Sequence, residues 1–190
     1  MNDARRESPG KESPLSLESI PVDRFLARPV HLWAERWLIL TPGDFPSGEF
    51  NAMTVAWGSV GCMWNFPFAQ VVVRPNRHTY GFMERFPGFT LSVLPEARRE
   101  AARILGTRSG RDGDKIAEAG LTPVPSDRVA APAFAEAELI LECRTLYSQD
   151  MEPARFLDPA IEDRYPEKDY HRIYFGEIVA ARGTADWRVP

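Results

Sequence analysis

Phe50 to Trp57 alternates along the chain: Asn51, Met53 and Val55 fall on one side, and Ala52, Thr54 and Ala56 on the other. That period of two predicts a strand. Ahead of it, Trp37, Leu38, Ile39 and Leu40 form a short apolar run closed by Thr41, Pro42 and Gly43, a buried strand entering a turn. Phe68 to Arg74 predicts a third strand, stopped by Pro75. Thr79, Phe82, Met83 and Phe86 then change the spacing to that of a helical stripe. Phe89, Leu91 and Val93 against Thr90 and Ser92 restore a strand, while Glu96 to Leu105 and Asp114 to Ala119 suit two helices, the second ending at Gly120. Ala137, Leu139, Leu141 and Cys143 opposite Glu136, Glu138, Glu142 and Arg144 predict a half-exposed antiparallel strand. Ile173, Phe175 and Val179 predict a last strand facing inward by that parity, with Glu177 an exception needing a partner or solvent. Six or seven strands with two or three inserted helices fit a mainly β, closed or nearly closed barrel, which leaves few exposed sheet edges.

From Met1 to about Val22 the chain is rich in Ser, Pro, Glu and Arg and offers no continuous apolar face, so residues 1–24 read as a mobile tail and 25–190 as one domain. Seventeen prolines in 190 residues favour strands and turns over long helices. Cys62 and Cys143 stand far apart with no Cys-x-x-Cys pair, which argues against a disulfide scaffold or structural zinc. No run reaches the ~18 apolar residues of a membrane span, and the first residues lack the apolar centre of a signal peptide; the expectation is a cytoplasmic protein with no membrane partner.

The formal charge of -4 gives no global reason to bind nucleic acid, and no nucleic-acid motif is present. Between Arg74 and Lys115, however, nine Lys or Arg oppose five acids, so this stretch carries +4 and the rest of the chain -8. An island of that kind suits an anionic ligand, although for Arg85, Arg98, Arg99 and Arg103, in helical segments with adjacent acids, solvated helix faces are the better account. Arg74, Pro75, Asn76, Arg77, His78 and Thr79 run from a strand end directly into a helix start. There, free backbone N–H groups, a guanidinium and a hydroxyl can converge on one phosphate. An ordinary turn with surface arginines is the alternative. Arg108 to Arg111, with Lys115 beyond, is a second basic loop in which Gly110 permits close approach. Rossmann, P-loop, zincin and nucleophile-elbow motifs are absent, and His31, His78 and His171 are too far apart in sequence to suggest a metal site.

Four blocks in order carry a family resemblance: Asn51-Ala52-Met53-Thr54-Val55-Ala56-Trp57-Gly58; Val73-Arg74-Pro75-Asn76-Arg77-His78-Thr79-Tyr80; Ser109-Gly110-Arg111-Asp112-Gly113-Asp114-Lys115-Ile116; and His171-Arg172-Ile173-Tyr174-Phe175-Gly176-Glu177-Ile178. Over roughly Pro29 to Gly183 the chain resembles the flavin reductase-like, FMN-binding split-barrel family, in particular its flavoredoxin-like branch. The resemblance implies a six-stranded antiparallel split barrel that forms a homodimer and holds FMN near the subunit interface. It also implies roles for particular residues. The strand Asn51, Ala52, Met53, Thr54, Val55 and Ala56 would border the isoalloxazine, with the Thr54 hydroxyl facing its polar edge. Arg77 and Thr79, with Arg74 and Tyr80 nearby, would take the phosphate, and Ser109, Gly110 and Lys115 would approach from the later loop. His171 would stand as the catalytic candidate where a nicotinamide stacks. Where family members often carry Ser, this chain has Ala56, so a side-chain hydrogen bond there is lost.

The implied activity is NAD(P)H-dependent reduction of flavin, with NADH or NADPH as donor and electrons passed to a small-molecule or protein acceptor. The alternative is an FMN-containing electron carrier that does not itself oxidise nicotinamide. Both are consistent with a protein that binds the cofactor, tunes it and leaves one face open, because the redox chemistry resides in the flavin.

Overall fold

The computed structural model describes residues 15–189. The expected tail therefore lies outside the described residues from 1 to 14. Its last part is not a tail: β1 (Glu18–Ile20) pairs antiparallel with the final strand, and Ile20 is buried in the main core. Ile20, with Leu17 and Val22 packed partly buried on either side of the strand, docks this short segment along a free edge of the final strand.

Six strands of six or more residues make the barrel. They are β2 (Leu38–Asp44), β5 (Gly58–Met63), β6 (Phe66–Val73), β7 (Gly88–Val93), β10 (Leu139–Asp150) and β11 (Arg172–Gly183). Their spatial order is β2-β7-β10-β11-β6-β5, every neighbour antiparallel. Two short strands, β3 (Glu49–Phe50) and β4 (Met53–Val55), both pair with β2, and β8 (Pro123–Val124) with β9 (Ala133–Phe134) forms a separate ribbon. Leu38 and Leu40 of β2 share one buried cluster with Val71 and Val73 of β6, near the other end of the strand order. A flat sheet could not bring them together, so the sheet is curled around its core, as a split barrel requires. Phe89 fills much of that interior, and a Cβ on Gly176 would lie 2.7 Å from its ring. Burying a Leu or Phe side chain of this kind contributes about 1.5–3 kcal/mol.

Helices cover the outside. α1 (Pro29–His31) runs on as a wider turn through Arg36, and α2 (His78–Arg85) follows β6. α3 (Arg99–Thr107) and α4 (Lys115–Glu118) follow β7. The buried face of α3, Ala101, Ala102 and Leu105, packs with Ile39, Ile116, Phe134 and Ile140 into a second apolar cluster. No helix among the described residues is long and apolar enough to cross a membrane.

Three local expectations are corrected. The alternating run from Phe50 is interrupted at Asn51 and Ala52, both buried, because Asn51 turns its amide onto α2. In β11 the inward residues are Tyr174 and Ile178, the parity opposite to Ile173 and Phe175; Glu177 thereby faces outward and forms an ion pair with Arg144 at 2.5 Å. Finally, β10 is not half-exposed at Glu142. This carboxylate is fully buried, accepting the backbone N–H groups of Asp127 and Arg128 at 3.0 and 2.6 Å and facing Arg182. Such bonds replace the water a buried carboxylate loses.

Candidate functional site

Two connected depressions lie where β4, the β6–α2 corner, the α3–α4 loop and the β10–β11 insertion meet. The larger is a cleft of about 470 Å³, and the smaller a slot of about 200 Å³. Met53, Arg74 and Arg77 line both. Together they fall within the usual size of a small-molecule pocket.

The corner is built by local chain geometry. Pro75 ends β6, and Arg77 caps α2 in extended backbone with its N–H donated to Arg74 O at 3.0 Å. No side chain caps the first turn of α2, so the positive end of that helix opens beside the cleft. Arg77 is exposed, lines both depressions, and has no side-chain ion pair or hydrogen bond among the described residues. Thr79, buried at the base, accepts a hydrogen bond from Asn51 Nδ2 at 2.7 Å and retains its own hydroxyl proton.

The opposite wall comes from the loop after α3. Lys115 is buried and donates to the carbonyls of Leu105 and Arg108 at 3.2 and 3.1 Å, which lie at the negative end of α3. Two of its three protons are thus placed. Burial, reinforced by Arg77, lowers its pKa to about 8. Asp114 caps α4 by accepting from Ile116 and Ala117 N–H, which fixes the loop that carries Lys115. Gly110 fits against Asn51 so closely that a Cβ would fall 2.3 Å from Asn51 Oδ1.

The third wall is the insertion between β10 and β11, residues 151–171. Arg74 does not point freely into the cleft. It pairs with Asp169 at 2.6 Å, donates to Arg164 O at 2.8 Å, and stands over the Tyr165 ring at 5.0 Å. His171 is buried, with Nδ1 2.9 Å from the Tyr165 hydroxyl and its ring 5.2 Å from that of Trp57. Burial, aided by Arg74 and Arg77 and opposed by Asp169, pulls its pKa down to about 4. It is therefore neutral at physiological pH. The site thus combines a basic corner, a strand edge and a neutral imidazole.

The family model for the flavin reductase-like domain matches residues 26–187. The chain belongs to the flavin reductase-like family. A curated relative, an uncharacterized protein of Pyrococcus abyssi, is 27% identical over 134 residues, covering 70% of this chain; the match spans 65% of the length of that relative. Among solved structures, the fold is similar to an FMN-binding domain of a flavin reductase-like enzyme from Shewanella baltica, with TM-score 0.66 and 17% identity over 90% of this chain and 79% of that one. It is also similar to a flavoredoxin of Desulfovibrio vulgaris, with TM-score 0.62 and 23% identity over 95% and 78%. A Streptomyces globisporus NADH:FAD oxidoreductase in complex with NAD and FAD fragments gives TM-score 0.57 and 21% identity over 76% and 72%. The expected split-barrel class is what these neighbours share.

Within this flavin reductase-like domain most of the residues singled out by sequence converge. Met53, Arg74, Arg77, Thr79, Ser109 and Lys115 line the cleft, and Thr54, Val55, Ala56 and His171 line the slot. Asn51 and Gly110 sit in a smaller recess behind Lys115. Two fall elsewhere. Ala52 is fully buried beneath α3, and Tyr80 packs against the barrel core under the Arg172 guanidinium at 5.4 Å. Thr54 also differs from expectation, because its hydroxyl donates to Ala102 O at 2.5 Å and serves to hold α3. Sequence reasoning missed Tyr165 and Asp169. Their only sequence signal is an aromatic and acidic stretch immediately before His171.

Proposed function

We propose that this chain binds FMN across the cleft and slot and acts as an NAD(P)H-dependent flavin oxidoreductase that passes electrons onward. The single observation carrying this reading is Arg77: a cation without an ion-pair or hydrogen-bond partner among the described residues, at the uncapped start of α2, beside the remaining proton of Lys115 and the hydroxyl of Thr79. These are phosphate-binding donors in a concave site. The slot beyond them offers the Met53 to Ala56 strand edge with Trp57 and His171, a surface suited to a flat ring bearing polar edges. The residues present thus fit the cofactor.

On this reading Arg77, Thr79 and Lys115 bind the phosphate. Each charge-assisted bond is worth about 1.5–3 kcal/mol, so a few supply much of the ~8 kcal/mol behind micromolar affinity. The β4 backbone would orient the ring, and Arg74 keeps the 151–171 insertion in place beside the slot. FMN, when bound, supplies hydride-accepting and electron-passing chemistry that no side chain here provides. His171, being neutral, meets the ring without adding a charge.

Anaerobic mixing of the FMN-loaded protein with NADH or NADPH tests the activity. Rapid bleaching of the flavin absorbance supports the oxidoreductase, and persistent colour would reduce the chain to an electron carrier. We further propose a homodimer. Trp64, Phe66 and Tyr147 are 52%, 40% and 43% exposed, and Trp64 meets Phe175 edge-on while Tyr147 meets it tilted, making an aromatic patch that a second copy would cover. A single-chain mass in light scattering would contradict it.

A further inference from the structure

His171 is reached from the slot, but the group that sets its proton lies in the insertion. The Tyr165 hydroxyl has one proton and two neighbours, His171 Nδ1 at 2.9 Å and Met151 Sδ at 3.4 Å. An imidazole nitrogen is much the stronger acceptor, and it is the nearer. The opposite arrangement, Nδ1–H donating to the Tyr165 oxygen, would leave that hydroxyl only the thioether to donate to. With Nδ1 accepting, a neutral ring must carry its proton on Nε2, the nitrogen with no partner among the described residues. The ring is neutral because it is buried beside the Arg74 guanidinium.

We propose that Tyr165 is a positioning residue that locks His171 in its Nε2–H tautomer, so that the slot beside Trp57 always presents a hydrogen-bond donor to the molecule it receives. The device extends one step further out. Arg74 covers the Tyr165 ring, holds the neighbouring Arg164 carbonyl and pairs with Asp169, so it fixes the segment from which the hydroxyl is aimed. A ring nitrogen or carbonyl oxygen is the kind of acceptor this donor suits, as on a polar heteroaromatic ligand. That last clause rests on the flavin reading; the tautomer does not.

The test begins with the flavin-free full-length protein labelled with 15N-histidine. Long-range 1H–15N spectra at neutral pH distinguish a protonated ring nitrogen from an accepting one. The chain has three histidines, and His171→Gln identifies the resonances of interest. The expected result is protonated Nε2 and accepting Nδ1 at His171. In Tyr165→Phe the ring should report a mixture of tautomers, while Met151→Leu should leave it unchanged. A wild-type His171 protonated on Nδ1 would overturn the proposal, as would a Tyr165→Phe spectrum identical to wild type. His31 and His78 report whether the variant is folded, and if it is not, the wild-type tautomer alone decides. With FMN added, Tyr165→Phe should slow flavin reduction about tenfold while changing the FMN dissociation constant less than about twofold, because the lost group acts through His171. An unchanged rate despite a mixed tautomer would overturn the positioning role. Failure of the wild type to bind FMN would defeat the flavin reading and leave the tautomer assignment standing.

Discussion

Arg74 and Arg77 are three residues apart on one corner, and they do different work. Arg74 is drawn across the cleft to Asp169, 95 positions along the chain, and becomes a strut for the insertion over the slot. Arg77 has no such partner among the described residues and faces the cleft with its charge unspent. Two arginines that look equivalent in sequence are separated by what the rest of the fold brings to them. A basic cluster therefore marks a ligand only where its charges are left unpaired.

The difference should be visible as opposite responses to mutation. Arg74→Ala leaves the Asp169 carboxylate, only 11% exposed, with the Asn76 amide as its remaining side-chain donor, and frees the insertion; urea unfolding should show a loss of about 2–3 kcal/mol. Arg77→Ala should leave stability within about 0.5 kcal/mol and weaken FMN binding tenfold or more, about 1.4 kcal/mol. If both variants lose affinity alike at full stability, the distinction between them disappears.

Acid sharpens the comparison further, because burial, helped by Arg74, holds His171 neutral. Its pKa is about 4 in the folded chain against 6.5 for the free side chain. Between those values the unfolded chain binds more protons, so this group's contribution is full above pH 6.5 and is lost as pH falls through 4. Wild-type stability should drop between pH 7 and pH 4.5 by about 2 kcal/mol more than that of His171→Gln, measured by urea unfolding.

Lys115 gives a smaller effect at the other end of the scale. With its pKa near 8, the amine is charged at pH 7 and largely neutral at pH 9.5. FMN affinity should fall a few-fold over that interval in wild type, about 0.5–1 kcal/mol, and stay flat in Lys115→Met by fluorescence titration. Cys62, exposed on β5 and away from both depressions, is the baseline: Cys62→Ser should shift stability by no more than about 0.5 kcal/mol.

What could be read in advance follows the same line. Five of the six long strands and α2 to α4 were legible because the apolar period that specifies them is local, whereas β5, with no buried residue to mark a period, was not. The β6–α2 corner was legible too, since Pro75, Arg77 and Thr79 act through a strand end and a helix start that adjoin in sequence. The role of Arg74 was hidden, because it is decided by Asp169. So were Tyr165, which matters only through His171, and the burial of Glu142, whose partners arrive from Asp127 and Arg128. The parity of β11 was misread because Phe175 is an apolar residue on an aromatic outer face, and only pairing with β10 and β6 shows which side is inside.

The central claim is that the β6–α2 corner grips the phosphate of FMN. Equilibrium titration of the protein with FMN, set beside riboflavin, reads this directly. The account predicts micromolar or tighter binding of FMN in wild type, at least ~10-fold weaker binding of riboflavin, and loss of that preference in Arg77→Ala. Equal affinity for the two, or a preference that survives in Arg77→Ala, would contradict it.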